Sequence, residues 1–153
     1  MSAPAATLSE ADMPPLRRDF ELPSDETTFL SDDGYRWESV AIYDGTGVAL
    51  WLLVLDVALP NGFVAVANPG EQVNSVTVGI RVTGYQTSAL DMVYVHPPVT
   101  RADGVPIPGL TLLTIDGREF QQWSRHYAFQ VGVDSIESHY RAAVNWFSRA
   151  MQR

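Results

Sequence analysis

A chain of 153 residues is long enough to bury one domain's core without disulfides or a structural metal. Hydrophobic residues make up 46% and are spread along the chain, which excludes a disordered polymer. The net charge of −8, with basic residues scattered rather than striped, argues against nucleic acid as a partner. No run reaches the roughly 18 apolar residues that span a bilayer; the longest, Val48 to Leu59, contains Asp56, so no membrane partner is expected. No secretory signal opens the sequence and cysteine is absent, which fits a reducing compartment and makes the cytoplasm the expected location. All 10 basic residues are arginines. A GC-rich genome accounts for the missing lysines, and work beside lysine-directed chemistry would account for them too.

In chain order, residues 1–16 carry small, polar and Pro residues without periodicity and read as a flexible N-terminal tail ahead of one domain, 17–153. Leu22-Pro23-Ser24-Asp25-Glu26 starts a short helix that Asp32-Asp33-Gly34 stops. Strands follow at Arg36–Ile42, at the strongly apolar Ala49–Val57, whose two faces are both expected to be covered, and at Val76–Val82, which alternates with period two. Residues 63–74 read as loop, and Leu90–Val95 as the last strand. The expected class is α+β, with a four-stranded antiparallel meander flanked by a short N-terminal and a C-terminal helix. After His96-Pro97-Pro98 the pattern lapses for about thirty residues, Val99 to Gly132, a length that in a compact domain points to function. A helix then begins at Asp134, read as N-cap with Glu137 as its capping-box partner. Its stripe Ile136, Tyr140, Ala143, Val144, Phe147 and Met151 is expected to pack on the sheet.

The three histidines lack HExxH or His-x-His spacing, and without cysteine no metal is expected. Neither GxxxxGK[ST] nor GxGxxG occurs, nor GxSxG, so no nucleotide or other cofactor is expected. Two places retain chemistry. His96 ends a strand before two stiffening prolines, so its ring has a preset direction; a structural role, hydrogen-bonded to backbone, is the alternative. Ser124-Arg125-His126 gathers a hydroxyl, a cation and a base; in an extended segment Ser124 and His126 share a side, as a nucleophile and its base require. A surface loop with chance polar residues is the simpler account of the same letters. Asp103 and Asp116 each precede glycine, and turn formation explains them.

The words LDMVYVHPP at 90–98, RADGVPI at 101–107, IDGREFQQWSRH at 115–126 and GVD at 132–134, together with the order of elements, resemble the prokaryotic ubiquitin-conjugating-enzyme-like family E over about residues 22–150. That resemblance implies the ubiquitin-conjugating fold and two partners, a ubiquitin-like protein and an E1-like activating enzyme. It also implies a bacterial operon setting with a defence role. In the eukaryotic enzymes a His-Pro-Asn motif precedes a cysteine that carries ubiquitin as a thioester. His96 and Pro97 match its first two positions, Pro98 replaces the asparagine, and the cysteine's place, around Val105 to Pro108, holds no nucleophile. A thiol of pKa ~8.5 ionises readily, whereas a hydroxyl needs an adjacent base. The resemblance therefore leaves two readings. In one, Ser124 accepts the ubiquitin-like protein as an oxyester, with His126 or His96 as base and Arg125 stabilising the oxyanion; Thr111 and Thr114 are secondary candidates. In the other, the chain is an inactive variant that binds the ubiquitin-like protein or the activating enzyme.

Overall fold

Pro23 and the acidic pair Asp25 and Glu26 open helix α1 (Ser24–Asp32) in a computed structural model that describes residues 16–43, 46–67, 70–84, 90, 93–107, 110–123, 131 and 134–151. The carboxylates face the positive end of the helix dipole. The helix ends because Gly34 adopts φ +80, where its N–H donates to Ser31 O (3.1 Å) and the N–H of Tyr35 to Leu30 O (2.8 Å), a Schellman stop. Phe29 and Leu30 are left buried against the sheet. The tail at 1–15 lies outside the described residues.

Among the described residues nine strands follow: β1 (Arg36–Tyr43), β2 (Val48–Ala58), β3 (Phe63–Ala67), β4 (Glu71–Val73), β5 (Ser75–Arg81), β6 (Val93–His96), β7 (Val99–Arg101), β8 (Leu110–Ile115) and β9 (Arg118–Trp123). They form a six-stranded sheet in the order β1-β2-β5-β6-β9-β8 and a three-stranded sheet β4-β3-β7. Every pairing between named strands is antiparallel. The α+β class holds, and the four strands expected as a meander are β1, β2, β5 and β6, consecutive neighbours in the larger sheet. The expected count of four is corrected, because the segment read as irregular after Val99 contributes β7, β8 and β9, and the segment read as loop at 63–74 contributes β3 and β4.

Strand β2 is apolar apart from the exposed Asp56, and both its faces are covered over Trp51 to Val54. Leu52 and Val54 join the larger core with Val78, Ile80, Val95 and Trp123, while Trp51 and Leu53 join a second core on the opposite face with Val40, Tyr94, Ile115 and Phe120. Gly79 permits this second packing: a Cβ there would lie 3.3 Å from Leu53 Cδ2. The β8–β9 connection is a two-residue turn with Asp116 at φ 53 and Gly117 at φ 74, the left-handed pair of a type I′ turn whose twist suits a hairpin.

The C-terminal helix, α2 (Ile136–Met151), buries Ile136, Tyr140 and Ala143 in the larger core beside Phe29. Tyr140 meets Phe29 at 5.7 Å and Tyr35 at 5.8 Å between ring centroids, and burial pushes its phenol above the ordinary range. Its cap lies one residue beyond the expected one. Ser138 N–H donates to Ser135 Oγ (3.1 Å), and Ser135 N–H donates back to Ser138 Oγ (2.9 Å), a reciprocal box that leaves Glu137 to pair with Arg141 at 2.9 Å. Of the expected stripe, Phe147 and Met151 have side chains outside the described set.

Candidate functional site

Strand alternation fixes where His96 points. Val93 and Val95 face the α2 side, so Tyr94 and His96 face the second core. The ring lies 5.2 Å from that of Phe120, and Nδ1 is 2.6 Å from Glu119 O. A carbonyl only accepts, so Nδ1 carries the hydrogen, and in the neutral ring Nε2 keeps the lone pair. The backbone-bound arrangement read as the structural alternative for His96 is therefore present.

The His96–Pro97 peptide is cis, and beyond it the chain leaves the large sheet. Val99 to Arg101 pair instead with β3, Val99 opposite Ala65 and Arg101 opposite Phe63. One side chain ties the crossing segment back to β9. The amide of Gln121, 5% exposed, accepts from Val99 N–H (3.1 Å) and donates to Val99 O (2.9 Å), and its oxygen also accepts from the Trp123 indole (3.0 Å). Each partner is thereby satisfied inside a region that excludes water.

The turn after β7 is built around a charge pair. Arg101 donates through Nε to Asp103 Oδ1 (3.0 Å) and through a terminal nitrogen to Oδ2 (2.5 Å), a two-pronged contact, while Val105 N–H also donates to Oδ1 (3.0 Å). Arg101, then the Val105 N–H, hold the Asp103 carboxyl below its usual value. Gly104 at φ +80 closes the turn. Asp103 and Asp116 thus serve turns, as their Asp-Gly pairs foretold. The turn presents Val105, 43% exposed, beside Pro106 and Ile107 over a cavity of about 380 Å³ lined also by Thr100, Leu110 and Gln121. Where the resemblance puts a cysteine, Val105, Pro106 and Ile107 are aliphatic, and Thr100 is the hydroxyl-bearing residue among the described ones lining the cavity.

Ser124, Arg125 and His126 lie outside the described residues. Strand β9 ends at Trp123, opposite Val93 and three positions, about 10 Å, along β6 from His96. Among the catalytic candidates, the described geometry brings His96 to Phe120 and Glu119 on one face, with the Val105 turn and Gln121 on the other. Thr111 stands opposite Gln122 on β8. Thr114 lines a second cavity of about 630 Å³, floored by Trp51 and Ile115 and bordered by Arg17 and Asp116, 3.4 Å apart.

Gln121 and the Arg101–Asp103 clasp were not singled out from sequence. The Asp-Gly of RADG marks the turn, but nothing in the letters tells which arginine answers the aspartate. Gln121 could have been found only by placing β9, since alternation with Phe120 and Gln122 puts it on the larger-core face with Trp123.

The α+β fold, with strand β6 ending at His96 before Pro97, is consistent with an E2-like protein. The chain belongs to prokaryotic E2 family E, whose model matches residues 22–150. No curated protein and no solved structure matches it. No described helix is long and apolar enough to cross a membrane.

Proposed function

We propose that this chain serves a prokaryotic ubiquitin-like conjugation pathway as a binding module, holding a ubiquitin-like protein or its E1-like activating enzyme without carrying the ubiquitin-like protein covalently. The observation behind this reading is the Val105-Pro106-Ile107 turn: it stands where the resemblance puts the carrier cysteine and offers aliphatic groups in its place. The turn is braced by the Arg101–Asp103 pair and by the Val105 N–H bond to Asp103, so its apolar residues are held in place before a partner arrives, which lowers the ordering cost of association. Family membership supports the two partners in general terms. His96, bound through Nδ1 to backbone, acts in this reading as a support for the β6–β9 junction.

Titration calorimetry with the ubiquitin-like protein and the activating enzyme of the same genome tests this. One of the two binds, Ser124→Ala leaves the affinity unchanged, and Val105→Asp weakens it on the order of ten-fold by placing a charge in an apolar contact. Failure to bind either protein, or binding indifferent to Val105→Asp, overturns the reading. The competing account, an oxyester on Ser124 with His126 as base and Arg125 at the oxyanion, requires a covalent product.

A further inference from the structure

Strand β8 ends the six-stranded sheet, and its outer edge has no strand beside it among the described residues. The other end of the sheet is treated differently. Beside β1, Asp19 N–H donates to Ser39 O (2.8 Å), Ser39 N–H to Arg17 O (3.1 Å) and Ala41 N–H to the Asp19 carboxylate (3.0 Å), so the chain's own N-terminal segment covers that edge. The edge strands β4 and β7 of the small sheet are three residues each. The β8 sequence LTLLTI is six residues with no charge, proline or glycine, on a molecule of net charge −8. Edges of this kind pair with other strands unless they are blocked. Thr111, Leu112 and Thr114 are exposed, Leu112 to 56%.

The hairpin sets which groups face outward. Ile115 and Arg118 flank the two-residue turn and form a hydrogen-bonded pair, so along β8 the inward-bonding residues are Ile115, Leu113 and Thr111. The N–H and C=O groups of Leu110, Leu112 and Thr114 point outward. At the turn end Arg17 reaches Asp116 (3.4 Å), so the open run is Leu110 to Thr114.

We infer that β8 pairs antiparallel with β8 of a second copy of this chain, about a twofold axis through Leu112. A twofold normal to the sheet keeps like faces together, and in this register Leu112 lies opposite its own copy and Leu110 opposite Thr114. All three outward-facing residues then fall in hydrogen-bonded pairs, giving about six bonds between the chains. Leucine meets leucine, threonine meets leucine, and no charge is opposed, so the edge is complementary to itself. A strand edge of this length buries less than the roughly 1,000 Å² of a tight interface, so the dimer is a weak one that dissociates on dilution.

Sedimentation velocity over a wide concentration series tests this, with a rise from monomer toward dimer expected. Leu112→Lys, which sets like charges face to face, weakens association on the order of ten-fold while circular dichroism stays unchanged. Because the chain has no cysteine, Leu112→Cys gives a clean second readout. Opposed Cα atoms about 5.5 Å apart suit a disulfide, so mild oxidation yields a covalent dimer, whereas Val66→Cys, at an exposed site on β3, stays monomeric. A chain monomeric at every concentration, a dimer indifferent to Leu112→Lys, or cross-linking equal at positions 66 and 112 overturns the inference. A β8 edge that instead takes up a strand of the ubiquitin-like protein would show as the monomer-only result together with loss of that binding in Leu112→Lys.

Discussion

Replacing Gln121 by leucine nearly keeps the side chain's volume and removes its amide. Val99 would lose the partners of both its N–H and its C=O, and the Trp123 indole would lose its acceptor. Buried polar groups left unsatisfied cost about 1–3 kcal/mol each, so Gln121→Leu should lower the unfolding free energy by about 3–5 kcal/mol, read from the shift of the urea midpoint. A loss below 1 kcal/mol would mean that water reaches Val99. Asp103 gives a prediction in pH. Its folded pKa is lowered from 3.8, chiefly by Arg101, so its contribution is complete above pH 3.8 and is lost as pH falls below that value. Asp103→Asn should therefore flatten the acid limb of the stability curve in that window while leaving its shape near neutral pH unchanged. An acid limb identical to that of the parent chain would show that the clasp with Arg101 does not contribute in solution.

At the scale of elements, the hairpin β8–β9 rests on two residues with positive φ, and only one of them is glycine. Gly117→Val forces a branched side chain into φ +74, at a cost of about 1–2 kcal/mol that thermal denaturation will register as a lower Tm. No heavy atom lies within 4 Å of a Cβ built there, so backbone conformation alone accounts for the loss. The same hairpin marks how far the sequence was legible. β1, β2, β5, β6 and α2 stood out by their apolar runs or periodic stripes, and α1 by the start signal at Pro23-Ser24 and the stop at Gly34. The Asp116-Gly117 pair between Leu113, Ile115 and Phe120 is an equally direct hairpin signal. It was read as a turn without its strands because β8 is an edge whose Thr111, Leu112 and Thr114 face solvent, which blurs the alternation. β3, β4 and β7 escaped because strands of three to five residues are too short to display a period. The cap of α2 moved one residue because Asp134-Ser135 offers two capping side chains, and only the geometry of Ser138 decides between them.

For the molecule as a whole, the large sheet separates two chemistries. His96 belongs to the face packed around Trp51 and Phe120, and the Val105 turn belongs to the face held by Gln121 and covered by α2. His96 and the Val105 turn, which the resemblance joins in one motif, are thus held by separate contacts, a division that suits a surface for holding a partner. The most direct measurement is the intact mass of the 16.9 kDa chain after incubation with its activating enzyme, ATP and the ubiquitin-like protein. A binding module returns at its own mass, and the ubiquitin-like protein co-elutes only under native conditions. A mass raised by that of the ubiquitin-like protein less one water, cleaved by hydroxylamine and absent in Ser124→Ala, would contradict this account and make Ser124 the carrier.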